Sequence, residues 1–365
     1  MIKLSDHFTR KTMLRFTFPS IMMMIFTSIY GMVDGFFISN FVGSTQFAAV
    51  NLIMPFIMIF GAVGMVFGTG GSALVSMLLG MKEEKKAIET FSFLVYFASA
   101  LGFVFMFLGI AITEPVAKAL GASEAMLPYC VAYARVCFLG SVPFVLQNLF
   151  QAFFITAEKP HLGFIVTVAA GITNMILDGL FMGVIGWGVE SAAAATVIGQ
   201  VVGGVIPVFY FANNNNSSVS FHFGAQNTDE LKSLLKKCLQ IVLGFALILT
   251  ALAEIFATPL SMIFVGYNKE LLDITTNAFH IYAISFIFMG FNIFGSSFFT
   301  ALNNGAISAL ISFMRTLVFQ VIAILTLPQF FGINGIWFAV TAAEAGSIVL
   351  TIICSIANRK KYQYY

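Results

Sequence analysis

The apolar run from Phe16 to Gly43 is too long for the interior of a soluble domain, yet it carries Pro19 near its start and Asp34 well inside it. About 20 mostly apolar residues cross a bilayer as a helix, so this run is read as a membrane span. A carboxylate in hydrocarbon costs roughly 2.5–3.5 kcal/mol on insertion scales and marks a functional site by default. Proline removes one i→i−4 bond and bends its helix, so Pro19 is the expected bend. A bendable helix with a buried acid points to ion-coupled transport. The alternative is a structural Asp capped by polar neighbours.

The remainder of the chain repeats the pattern. Ten apolar stretches can be marked, at roughly 16–41, 48–78, 90–112, 128–156, 162–183, 190–212, 238–257, 274–301, 307–328 and 335–357. Only 9% of the residues are charged, against ~25% in soluble domains. The expected class is an all-α integral membrane protein with about ten transmembrane helices; a barrel would show ~10-residue alternating segments instead. With both termini cytoplasmic, fourteen of the 18 Lys and Arg residues fall in inside segments and three outside, leaving Arg315 within the membrane. That asymmetry places the chain, multi-pass, in the inner (cytoplasmic) membrane.

Other classes are disfavoured. A net charge of +2, not gathered on one face, argues against nucleic acid. Cys130, Cys137, Cys238 and Cys354 are scattered through apolar stretches and read as small core residues. No nucleophile–base constellation, Walker A or dinucleotide fingerprint is present, so neither an enzyme nor an ATP-driven pump is expected, and no cofactor. The Gly68-Thr69-Gly70-Gly71 run lies inside a span, where small residues more often serve close helix packing.

An internal repeat sets the organisation. Residues 121–160 fall on 266–305 at an offset of 145, placing Gly121 on Gly266, Leu127 on Leu272 and Phe153-Phe154 on Phe298-Phe299. Two copies in one orientation imply two pseudo-symmetric lobes with a cleft between them. The expected division is residues 1–212 with six spans, a cytoplasmic connector at 213–237, and residues 238–365 with four. Partners for the first two spans of the first copy are missing from the second, and would belong near the Asn213–Asn216 run.

One polar set stands out in the first copy. Asp34 lies in span one, Asn148 in span four between Gln147 and Gln151, Asn174 and Asp178 share a face of span five, and Thr196 lies in span six. Gathered inward, they offer two carboxylates, two amide carbonyls and a hydroxyl. Such hard oxygen donors suit a small cation or a shared proton, Na⁺ being the one metal considered. The alternative is a hydrogen-bond cluster serving packing alone. In the second copy Arg315 lies about 15 Å deep, at 1.5 Å rise per residue. Glu344 is its candidate partner. Gln147, Gln151, Arg315 and Glu344 are candidates for substrate contact or charge pairing.

Several segments together resemble the multidrug and toxic compound extrusion (MATE) transporters of prokaryotes. They are VDGFFISNFVG at 33–43, GTGGSALVSMLLG at 68–80, TAEKP at 156–160, NMILD at 174–178, FHFGAQN at 221–227 and FFTALNNG at 298–305. The resemblance implies a two-lobed exporter of small amphiphilic or cationic compounds, working by exchange for Na⁺ or H⁺. It places the family's cation site on Asp34, Asn148, Asn174, Asp178 and Thr196, and its helix bend on Pro19. The sequence departs from the family by lacking helices seven and eight. That gap would be filled by lipid, by a second chain, or by collapse. A lipid-linked saccharide flippase and a non-transporting membrane scaffold are the alternative functions.

Overall fold

The computed structural model describes residues 9–81, 83–212, 228–266, 268–302 and 304–362. The described chain is helical throughout, with no strand among the described residues. It divides into two compact units, the first ending before residue 226 and the second beginning there. Eight helices are long and apolar enough to cross a membrane, or ten spans if each of two bent pairs counts as one.

The first unit contains α1 (Arg10–Phe37), α2 (Ser44–Gly80), α3 (Glu84–Ala119), α4 (Leu127–Leu139), α5 (Ser141–Thr156), α6 (Pro160–Asp178) and α7 (Val189–Ala212). Its strongest pairings are α2 with α5, α1 with α6, and α6 with α7. Close approach of α2 to α5 depends on Gly64, where an added Cβ would lie 2.4 Å from the Val145 carbonyl oxygen. Small residues at such crossings are the usual device where lipid supplies no hydrophobic drive. The core beside this crossing is aromatic: Phe60 meets Phe105 and Phe138 edge-on, with ring centroids 4.9 and 5.0 Å apart. Many large apolar side chains point outward instead, among them Phe107, Val184 and Phe209, as a lipid-facing surface requires.

The second unit contains α8 (Thr228–Val265), α9 (Lys269–Ala283), α10 (Ser285–Ala301), α11 (Gly305–Phe313), α12 (Gln320–Phe331) and α13 (Ile333–Tyr362). Here α13 packs on α12, α10 and α9, while α8 packs on α9 and α10. The connector expected at 213–237 is described only from Thr228, which starts α8. The proposed junction at 213–220 lies outside the described residues.

Two spans are broken. The α4–α5 pair bends by 62° and α9–α10 by 44°. The first break has a clear cause. Pro143 lacks the N–H that would bond the Leu139 carbonyl, and the Ser141 hydroxyl donates to the Phe138 carbonyl at 2.8 Å. The second break falls 144 residues later, between Ala283 and Ser285, close to the offset of the sequence repeat. Pro19, by contrast, lies inside α1, which runs without interruption from Arg10 to Phe37.

Among the described residues three stretches widen into π-helix: Ile38–Val42 after α1, Gly179–Ile185 after α6, and Met314–Phe319 between α11 and α12. Such stretches are rare and concentrate at functional sites. Each adjoins or contains an intramembrane charge: Asp34 lies one turn before the first, Asp178 immediately precedes the second, and Arg315 is within the third.

Candidate functional site

Pairing of α1 with α6 brings Asp34 and Asp178 together. Asp178 is fully buried and Asp34 is 9% exposed. The two carboxyls lie close enough to interact electrostatically. No donor among the described residues reaches Asp34 Oδ1 or either Asp178 oxygen. The π-helical stretches that follow the two acids also pack on each other.

The third helix of the site is α7. Gly199 lets it approach α6, since an added Cβ there would lie 2.9 Å from the Ala170 carbonyl oxygen. That contact sets Asn174 beside Thr196, and the Asn174 amide donates to the Thr196 hydroxyl at 3.4 Å. The donated bond turns Asn174 Oδ1 away as a buried oxygen with no donor. Thr196 itself is half-buried.

Other candidates are placed differently. Asn148 is half-buried, and its amide donates to the Phe144 carbonyl of its own helix at 2.8 Å rather than to either acid. Gln147 is buried against Gly203 of α7, whose missing Cβ makes room for the amide. Gln151, one turn further along α5, is half-buried. Pro19 lies far from these groups, about 22 Å along α1 from Asp34 at 1.5 Å per residue.

Three residues join the site without having been singled out in the sequence. Gln200, one turn beyond Thr196, has a buried Oε1 with no donor. Tyr133 and Cys137, one turn apart on α4, are buried within electrostatic reach of Asp34. The i,i+4 spacing of Thr196 and Gln200 was a usable signal. Tyr133 and Cys137 gave none, because an aromatic and a thiol in an apolar run look like core.

A separate polar network holds the second unit together. Arg315 Nε donates to Glu344 Oε1 at 2.8 Å. The Asn292 amide donates to Glu344 Oε2 at 2.7 Å and to the Glu344 carbonyl at 2.8 Å. Thr351 in turn donates to Asn292 Oδ1 at 3.3 Å. Glu344, Asn292 and Thr351 are buried. Nearby on α10 and α11, Ser296 is joined to Ser308 and Ser312 by hydroxyl contacts of 2.9 and 2.8 Å. Glu254 of α8 pairs with His280 of α9, Oε2 to Nδ1, at 2.5 Å. Among the described residues no group of three or more His, Cys, Asp or Glu side chains could hold a metal ion.

The family model MatE matches twice, over residues 19–180 and 177–325. The chain belongs to the MatE family. Among curated relatives it is similar to the multidrug export protein MepA of Staphylococcus haemolyticus, 28% identical over 232 residues, covering 63% of this chain and 50% of that protein. MepA of Staphylococcus aureus (strain MRSA252) is 29% identical over 228 residues, covering 62% and 50%. The chain therefore spans about half the length of these curated relatives. Among solved structures, an outward-facing multidrug resistance MATE family transporter of the MOP superfamily superposes with a TM-score of 0.86 at 17% identity, covering 97% of this chain and 96% of that one. A MOP superfamily transporter from Pyrococcus furiosus, titled for the reverse polarity of its binding pocket, gives 0.85 at 17% identity over the same shares. At such identities the structures establish the fold, a multi-pass helical membrane protein of MatE type.

Proposed function

We propose that this MatE protein is an antiporter that exports small amphiphilic or cationic compounds in exchange for Na⁺ or H⁺. The observation that carries the reading is the group of buried oxygens in the first unit that have no donor among the described residues: Asp34 Oδ1, Asp178 Oδ1 and Oδ2, Asn174 Oδ1 and Gln200 Oε1. Adjacent buried carboxylates repel and are poorly solvated, so a proton or small cation between them relieves both costs. All the donors are hard oxygens, and none is a thiolate or imidazole. In this reading Asp34 and Asp178 hold the ion, Asn174 and Thr196 complete its surroundings, and Asn148 joins only if its amide leaves the Phe144 carbonyl. Pro19 is the point about which α1 bends during exchange.

The organisation we propose is a six-span lobe at residues 1–212, a cytoplasmic connector at 213–237, and a four-span lobe at 238–365. The protein sits in the cytoplasmic membrane with both termini inside, and lipid or a second chain covers the shorter lobe. MepA relatives, named as multidrug exporters, support the substrate class. The flippase alternative needs a basic cleft for phosphates, and Arg315, the one intramembrane cation of the sequence, is already engaged by Glu344.

The test is efflux of a fluorescent cationic dye from membrane vesicles under an imposed Na⁺ or H⁺ gradient. Asp34→Asn or Asp178→Asn abolishes gradient-dependent efflux while the protein remains in the membrane. Unchanged efflux removes the ion-site assignment. Insertion of a two-span segment at 213–220 is expected to raise both stability and efflux, and no gain in either argues that the four-span lobe is complete.

A further inference from the structure

We infer that a cleft at one end of the first unit binds the phosphate headgroup of an anionic phospholipid. It has a volume of about 620 Å³ between the start of α1 and the turn into α6, and among the described residues its lining comprises Arg15, Phe16, Pro19 and residues 158–162. That is within the size range of small-molecule sites, about 300–1,000 Å³. It lies about 22 Å along α1 from Asp34, at 1.5 Å rise per residue, and so is distinct from the acid pair.

The chemistry of the lining selects the ligand. Among its described lining residues Arg15 and Lys159 are cationic and Glu158 is the single acid. The surplus favours an anion and disfavours the amphiphilic cations proposed as substrates. Phe16, Pro19 and Leu162 supply an apolar wall beside these charges. The spans Lys11–Val42 and Pro160–Ile185 both begin at this cleft, so its cations lie where headgroups meet hydrocarbon. A lipid presents a phosphate and an apolar tail in that same order, whereas a free anion has no use for the apolar wall. By the positive-inside distribution the leaflet is the cytoplasmic one, which carries the anionic lipids.

Local backbone geometry shapes the rim. Glu158 has φ +56°, the one non-glycine residue with positive φ among the described residues. Its N–H bonds the Ile155 carbonyl and the Lys159 N–H bonds Phe154, a helix-ending motif that ordinarily places glycine where Glu158 stands. The chain thereby turns sharply enough for Pro160 to start α6 at once, setting Lys159 and His161 on either side of it. This is the TAEKP segment, which the ion site leaves without a role.

The experiment is native mass spectrometry of the full chain in neutral detergent, titrated with phosphatidylglycerol and, separately, with phosphatidylcholine. We expect saturable phosphatidylglycerol binding at least tenfold tighter than phosphatidylcholine. The double variant Arg15→Gln, Lys159→Gln is expected to weaken it roughly 30-fold, about fivefold per basic residue at the surface. Lys118→Gln, at the end of α3, should leave it unchanged, and so should the charge-keeping pair Arg15→Lys, Lys159→Arg. Equal binding by wild type and the Gln double variant would overturn the assignment. So would loss of binding in the charge-keeping pair, and this pair provides the test should the Gln variant fail to fold. Displacement of phosphatidylglycerol by millimolar inorganic phosphate would identify a free-anion site and overturn the lipid reading. None of these outcomes depends on whether Asp34 and Asp178 carry an ion.

Discussion

In the first unit Asp34 and Asp178 lie together with no buried basic side chain among the described residues, whereas in the second Glu344 has Arg315 at 2.8 Å and Asn292 at 2.7 Å. The repeat sharpens the contrast. Gln147 and Gln200 stand where Asn292 and Glu344 stand in the second copy, at offsets of 145 and 144 residues. One copy thus has neutral amides at these two positions and places its acids elsewhere. The other places an acid there and supplies the cation from its own chain. A buried charge must be paired or neutralised. The second unit meets that requirement internally, and the first has acceptors in excess, which an exchangeable ion can satisfy.

The contrast is easiest to break in the second unit. Glu344→Ala leaves the half-buried Arg315 without its counter-ion and is expected to destabilise the protein by up to about 3 kcal/mol. The double change Arg315→Met, Glu344→Leu removes both charges and recovers most of that loss, as read by thermal unfolding in detergent. Recovery that fails would mean the pair does more than neutralise itself.

Neutralising an acid in the first unit should do the opposite. Asp178→Asn or Asp34→Asn is expected to leave unfolding temperature unchanged or raised, because it relieves carboxylate repulsion. Gradient-driven dye efflux should nevertheless fall at least about 100-fold, equivalent to roughly 2.7 kcal/mol. A large stability loss in either variant would make the cluster structural glue, as in the second unit.

Smaller effects separate helix spacing from chemistry. Gly199→Ala pushes a Cβ toward the Ala170 backbone oxygen, 2.9 Å away, and is expected to cost about 1–3 kcal/mol while also weakening ion binding. Gly295→Ala meets the Thr351 methyl at 2.3 Å. A side-chain methyl can rotate where a backbone oxygen cannot, so the loss should be smaller and confined to stability. Smallest of all, Thr351→Val removes one hydrogen bond to Asn292 and should cost about 0.5–1.5 kcal/mol with ion binding unchanged.

Much of this was legible in the sequence, for definite reasons. Long apolar runs and the skew of Lys and Arg made the spans visible. The i,i+4 spacing of Asn174 and Asp178 put both on one face, and the isolation of Arg315 in hydrocarbon made a partner such as Glu344 necessary. The break at Gly140 was less visible, because span four reads as one apolar run from 128 to 156, although Pro143 and Ser141 carry its cause. Asn148 shows the limit of pattern reading. An amide in the right span can bond its own helix one turn back, and only geometry decides which. The three π-helical stretches have no comparable signature in the sequence, since they depend on how helix ends are strained by packing. Gln200, Tyr133 and Cys137 became site residues only through contacts between α4, α6 and α7.

The most direct test counts ions. The purified chain and the double variant Asp34→Asn, Asp178→Asn are titrated at constant ionic strength with Na⁺- and pH-sensitive electrodes read together. Wild type is expected to hold one more monovalent cation per chain, Na⁺ or H⁺, than the variant, and to release it as the other is added or withdrawn. Equal cation uptake by the two proteins would contradict the account: the acids of the first unit would then be packing groups, like Glu344.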